Sequence, residues 1–292
     1  MSPLDQVKLR ELMELSTGRP EVVIALLDGT VALNHPAFKG RSIRQISSKL
    51  NEASDECNQV DNTACLHGTF MAGILCAARG SPAPAICPDC TLLIRPIFTK
   101  AVSSDDQIPS TAPEELAAAI SESVDAGARV INMSVALTQL SSTGGKDLRE
   151  ALDYAVKKGS VVVAAAGNQG KVGSSILIHH PWVIPVVACD AQGKPTGYSN
   201  LGNSIGRHGL RAPGEQIISL NAAGGSITMG GTSVSAPFVT GTVALLLSEF
   251  PSARGAEVKA AISQIYSGRR TTIVPPLLNA WKAYEVMARN NL

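Results

Sequence analysis

The chain has 292 residues, of which 45% are apolar and 17% charged, with 26 glycines, 6 cysteines and a formal net charge of +1. That length and apolar content suffice for one large domain with a sizeable core, and the balanced charge, without a basic stripe, excludes an electrostatic nucleic-acid binder. No apolar run approaches the ~20 residues that span a bilayer, and with aromatics at only 4% the core is expected to be Ala, Val, Leu and Ile.

Residues 1–15 carry Asp5, Lys8, Arg10, Glu11 and Glu14 among apolar positions. This predicts an amphipathic helix over 4–15, not the unbroken apolar core of a signal peptide. Residues 22–27 form a continuous apolar run, as expected of a strand buried on both faces, and the run stops at Asp28-Gly29. His67 opens a small-residue apolar stretch read as a helix over 68–78. A strand at 91–97 precedes a helix at 113–126, whose Pro113-Glu114-Glu115 start places Pro early and acids in the first turn. Strands follow at 129–134, 160–166, 183–188 and near 210–212, with helices at 146–158, 233–249, 256–266 and 277–289. Such alternation predicts an α/β fold with a mostly parallel sheet and helices on both faces. No linker divides the chain, so 1–292 reads as a single domain with 1–20 a short helical extension. Irregular stretches at 41–65 and 99–111 are rich in Ser, Asp, Asn and Pro.

The chemistry begins at Gly231-Thr232-Ser233, which places a serine at the mouth of the apolar helix that follows. A helix N-terminus offers free N–H groups and a positive dipole end, which suits an anionic intermediate. Alone, this serine is an ordinary helix cap. Two upstream partners change the reading. Asp28 stands at the C-terminal end of a strand, where open α/β sheets gather their chemistry, and His67 opens a helix of its own. The order Asp, His, Ser, each in a fitting context, points to a nucleophile, its base and an orienting carboxylate. The strand at 160–166 ends in Gly167-Asn168. A Gly-Asn pair makes a common turn, yet an amide at the end of a core strand also suits an oxyanion donor.

Seven stretches carry a resemblance: Leu27-Asp28-Gly29, His67-Gly68-Thr69, Ile131-Asn132-Met133-Ser134, Ala164-Ala165-Ala166-Gly167-Asn168, Tyr198-Ser199-Asn200, Ala212-Pro213-Gly214 and Gly231-Thr232-Ser233. Together, in this order, they resemble the subtilisin-like serine peptidases, or subtilases. The resemblance implies a three-layer α/β fold and a serine endopeptidase without a cofactor. Ser233 would be the nucleophile, His67 its base and Asp28 the orienting carboxylate. The Asn168 side chain and the Ser233 N–H would form the oxyanion hole. Ser134-Val135-Ala136 would pair with substrate backbone, and Ala165-Ala166-Gly167 would line the primary specificity pocket. Ser235 is set aside because the motif places the reactive serine directly after Gly-Thr.

A finer resemblance rests on Leu27-Asp28-Gly29 with His35-Pro36 following, on Gly80-Ser81-Pro82, on residues 92–98 and on residues 210–217. These are similar to the leader-removing proteases of cyanobactin-type ribosomal-peptide biosynthesis. Macrocyclising relatives carry a long helical insertion between Asp and His; here Asp28 and His67 are too close in sequence for one, which favours hydrolysis. The expected substrate is a precursor peptide or unstructured protein, with no nucleic-acid or membrane partner. A general degradative protease and a catalytically silent binding protein are the alternatives.

Departures from the family carry expectations too. Gly29-Thr30 follows Asp28 where subtilases have a small hydroxyl residue and then Gly. The family's main calcium site takes a carboxylate after a His-Pro pair and an Asn-rich loop after the histidine helix; here Ala37 follows His35-Pro36, and 79–85 holds neither Asn nor acid. Calcium needs about six to eight oxygen ligands, so no metal is expected. Cys57 with Cys65, and Cys87 with Cys90, could form small-loop disulfides or remain thiols; Cys76 and Cys189 read as core. His179-His180 reads as a loop entering a strand rather than a ligand pair, and His208 as surface loop. Secreted subtilases begin with a signal and a propeptide, and neither fits before the early core strand at 22–27, so either the sequence is a trimmed domain of a longer protein or, as the favoured expectation, the protein is made active in the cytoplasm.

Overall fold

The computed structural model describes residues 2–47, 57, 63–98, 111–134, 144–173, 175–264 and 271–290. Its centre is a seven-stranded parallel sheet built from β1 (Val23–Asp28), β2 (Ile43–Gln45), β3 (Thr91–Pro96), β4 (Val130–Met133), β5 (Val161–Ala165), β6 (Val183–Cys189) and β7 (Leu210–Pro213), in the order β2-β3-β1-β4-β5-β6-β7. Side chains of successive residues leave opposite faces of a strand. In β1, Ile24 and Leu26 therefore enter one core while Ala25 and Leu27 enter the other. Two buried faces explain the unbroken apolar run in the sequence.

One face packs against α2 (Leu9–Leu15), α3 (Thr63–Cys76), α8 (Thr232–Glu249), α9 (Gly255–Gln264) and α10 (Ala280–Asn290). The other packs against α4 (Pro113–Asp125), α5 (Gly144–Lys158), α6 (Ile176–His179) and α7 (Asn203–His208). The result is three layers, helices on both sides of the sheet, as the sequence predicts. In α8 every residue from Thr232 to Ser248 is buried, which is why that stretch holds only apolar and small hydroxyl residues and no charge.

Several expected boundaries are corrected. The helix expected over 4–15 is two pieces, α1 (Pro3–Gln6) and α2, broken at Lys8, whose φ is 53°. The break turns the carbonyls of Val7 and Lys8 onto the N–H groups of Ala280 and Trp281, which would otherwise be orphaned at the start of α10. That helix begins at Ala280 rather than 277, because the Asn279 side chain accepts from the N–H of Lys282 as a cap. α3 begins at Thr63, so His67 sits inside the helix and does not open it. His208 closes α7 instead of lying in a loop. The sequence reading omitted β2, α6, α7 and an antiparallel hairpin, β8 (Ile217–Leu220) with β9 (Ser226–Met229). These elements are too short for periodicity to register.

A buried ion cluster was also missed. Arg95 of β3, fully buried, meets Glu115 at 2.8 Å and Glu122 at 2.7 Å, both on α4, and so pins that helix to the sheet. Cys57 and Cys65 are joined by a disulfide, with Cα atoms 5.7 Å apart, while Cys76, Cys87, Cys90 and Cys189 are buried free thiols. Among the described residues, no helix is long and apolar enough to cross a membrane.

Candidate active site

The parallel sheet brings its chemistry-bearing residues to one end. Asp28 closes β1, Ser134 follows β4, Gly167-Asn168 follows β5, and α8 starts nearby with Thr232-Ser233. Asp28 is fully buried, and its Oδ1 accepts from the Gly29 N–H at 2.6 Å and from His67 Nδ1 at 2.7 Å. A carboxylate only accepts, so Nδ1 carries the proton and Nε2 is left as the free base. Nε2 is buried and makes no hydrogen bond, to Ser233 or to any other described group. Such bonds are often long before substrate binds and tighten afterwards. Burial alone would lower the His67 pKa; the Asp28 charge and hydrogen bond outweigh it and raise the pKa above 6.5.

The Asp28–His67 contact depends on backbone-to-backbone packing of the β1 exit against α3. A Cβ on Gly29 would overlap the Ala64 carbonyl oxygen, and a Cβ on Gly68 would overlap Thr30 O and lie 2.6 Å from Gly29 O. Thr69 Oγ1 adds a tie by accepting from the Ala32 N–H at 2.9 Å. The inverted Gly29-Thr30 order thus has a steric reason here: the position after Asp28 has no room for a Cβ against Ala64 of α3.

Around the start of α8, Gly231 has φ 137°, a conformation that side chains avoid. Asn168 Nδ2 and Ser233 Oγ lie 3.2 and 3.4 Å from the point where a Gly231 Cβ would stand, so the missing side chain brings them to one space. Asn168 is oriented by Thr232, whose N–H and hydroxyl both donate to Asn168 Oδ1, at 2.9 and 3.0 Å. Thr232 Oγ1 also accepts from the Gly167 N–H at 3.1 Å. The carbonyl of Gly214 receives the Gly231 N–H at 2.8 Å and the Tyr198 hydroxyl at 2.9 Å, which anchors the serine turn. Sequence reasoning assigned no task to Thr232 or Tyr198; their only signal was membership of the quoted stretches. Ser235 is fully buried and gives its hydroxyl to Gly231 O at 3.2 Å, within its own helix.

Ala165 and Ala166 are buried beside Gly167, and Gln169 Oε1 accepts from Asn200 Nδ2 at 2.6 Å next to that glycine. Ser134 is buried at the end of β4; Val135 and Ala136 lie outside the described residues.

The family signature of the subtilases matches residues 19–270. The chain belongs to the subtilase family. It is accordingly a serine-type endopeptidase. It is 30% identical to thermitase of Thermoactinomyces vulgaris, over 90% of this chain and 88% of that protein. Among solved structures, a variant of the protease domain of PatA superposes with a TM-score of 0.80 at 29% identity, covering 94% of this chain and 97% of the other. The prenylagaramide maturation protease PagA superposes at 0.79 with 28% identity, covering 96% and 98%.

The family's main calcium site does not fit the described residues at 35–37 and 79–85. Ala37 supplies no carboxylate, and its carbonyl instead accepts from the Ala78 N–H at 2.8 Å. Arg79 directs its guanidinium at two carbonyls, Ser16 O at 2.8 Å and Ile86 O at 3.3 Å, so this loop carries a cationic side chain in place of a carboxylate. His179 and His180 do not converge either: His180 Nε2 lies 3.2 Å from Asp153, and its Nδ1 accepts from the Trp182 N–H.

Proposed function

We propose that this subtilase cleaves a leader from a precursor peptide, with Ser233, His67 and Asp28 as its triad. The observation that carries the leader-removal reading is the similarity to PatA and PagA along nearly the whole of each chain. Those two are a patellamide and a prenylagaramide maturation protease.

In this reading Ser233 Oγ attacks the scissile carbonyl as its proton passes to His67 Nε2. Asn168 Nδ2 and the Ser233 N–H receive the oxyanion. His67 then hands the proton to the leaving amine, and water hydrolyses the acyl-enzyme by the same base. Asp28 holds the imidazole tautomer and stabilises the imidazolium. The unpartnered Nε2 and the Asn168 amide fixed by Thr232 support these roles. Ser134-Val135-Ala136 would pair with substrate backbone, and Ala165-Ala166-Gly167 would wall the pocket for the residue before the cut.

The proposed compartment is the cytoplasm. The four buried thiols support it and the Cys57–Cys65 bond weighs against it; thiol counting on protein prepared without reductant decides. The function is tested by fluorophosphonate labelling, mapped to Ser233, followed by incubation with a leader-bearing precursor and with casein. Single-site cleavage of the precursor and refusal of casein are expected. General digestion of casein favours the degradative reading, and no labelling favours the silent one.

A further inference from the structure

Pro237 stands four residues after Ser233 inside α8. In an α-helix the carbonyl of residue i accepts from the N–H of residue i+4, and proline has none. The carbonyl of Ser233 therefore lacks its helical partner. The Ser134 hydroxyl donates to it instead, across from β4, at 3.3 Å. Ser134 Oγ in turn accepts from Asn132 Nδ2 at 2.8 Å, and Asn132 Oδ1 accepts from the Thr240 hydroxyl at 2.8 Å. The chain runs Thr240, Asn132, Ser134, Ser233, through side chains that are at most 5% exposed.

Thr240 is the informative member. Other hydroxyls of α8 beyond its first two residues turn back onto their own helix: Ser235 onto Gly231 O, Thr242 onto Phe238 O and Ser248 onto Ala244 O. That is the ordinary habit of Ser and Thr in helices. Thr240 instead leaves its helix and donates to Asn132. This donation goes with one orientation of the Asn132 amide, oxygen toward Thr240 and NH2 toward Ser134. With the amide reversed, Ser134 would give its proton to Asn132, and the Ser233 carbonyl would lose its donor.

We propose that Thr240 and Asn132 are positioning residues: they set the direction of a buried hydrogen-bond chain that holds the peptide group of Ser233 against the end of β4. The proposal rests on Ser233 being the nucleophile. It gives the polar chain a function in the middle of a core where polar groups are costly unless fully paired. A nucleophile misplaced by about 1 Å loses on the order of 10²-fold in rate, so losing one link of the chain should be felt at the serine.

The test is the rate of fluorophosphonate labelling, read together with the melting temperature. Wild-type protein should label at Ser233. Thr240→Val, which keeps the shape and removes the donor, should label about tenfold more slowly, the scale of one hydrogen bond, while Thr240→Ser stays within about twofold of wild type. If Thr240→Val does not fold, Thr240→Ala removes the same donor without a bulkier side chain. In a Ser134→Ala background, Thr240→Val should have no further effect on the labelling rate, because the chain is already cut. A merely structural threonine would cost the same in both backgrounds. Wild-type labelling speed in Thr240→Val, or an equal loss with and without the Ser134 hydroxyl, overturns the proposal. Labelling of wild type at another residue overturns the nucleophile assignment itself, before any variant is compared.

Discussion

His67 Nδ1 and Asp28 Oδ1 meet at 2.7 Å in a space closed to water, with His67 Nε2 left unpartnered. The pair raises the His67 pKa, so the free base should become available only above the usual imidazole midpoint. The expected kcat/KM profile rises with pH through a midpoint above 6.5, and Asp28→Asn should move that midpoint down while lowering the rate. The stability sign is opposite: a histidine whose pKa is raised on folding stabilises fully below its unfolded pKa, and that contribution is lost as pH rises through the folded value. A pH-rate midpoint below 6.5 contradicts the assignment.

Ser233→Ala should abolish cleavage with the fold intact. The scale set by subtilisin is about 10⁶ in kcat for the serine and about 10²–10³ for an oxyanion amide, so Asn168→Ala is expected to be the milder variant. Ser235→Ala removes a hydroxyl that is bonded within its own helix, and most activity should survive. Steady-state kinetics on one peptide substrate ranks the three; retained activity in Ser233→Ala with loss in Ser235→Ala reverses the assignment.

Gly29→Ala and Gly68→Ala each push a methyl into opposing backbone. Overpacking of this kind costs about 1–3 kcal/mol, and the relief available is to move the β1 exit away from α3. Activity should therefore fall further than stability. Denaturant melts alongside kcat measure both, and full activity in Gly29→Ala would show that the close approach is dispensable.

Excess EDTA should leave the melting temperature within about a degree, since no ion linked to folding would be withdrawn. Arg79→Met should destabilise by about 1–3 kcal/mol, the scale of hydrogen bonds made by a charged group, because it frees Ser16 O and Ile86 O together. A fall of many degrees in EDTA, restored by calcium, would return the metal to this loop.

Cleavage should follow small, apolar or uncharged polar residues. Ala165, Ala166 and Gly167 offer no charge, and the Gln169 side chain that follows is neutral and tied to Asn200. A buried Lys or Arg would be desolvated without a partner there. Peptide-library profiling reads this directly, and dominant Arg or Lys before the cut refutes it.

The sequence by itself determined most of the sheet, though not its short edge strand β2, and the residues at its rim. An apolar run buried on two faces leaves a strong signal, so β1, β4, β5 and β6 were legible, and with them Asp28 at one strand end and Asn168 just beyond another. The small-residue stretch of α8 announced a wholly buried helix with Ser233 at its mouth. What the tertiary structure decided is whatever depends on partners distant in the chain. Lys8 breaks a helix because α10, more than 270 residues later, needs its carbonyl. His67 lies inside α3 rather than at its start, because the helix already begins at Thr63, ahead of the apolar stretch that marks it in the sequence. Gly29 is a glycine because of Ala64, Asn168 is turned by Thr232, and Asn132 takes its direction from Thr240 across the core. Periodicity records which face a residue buries; it does not record what stands opposite, and hydrogen-bond direction and backbone approach are properties of the pair.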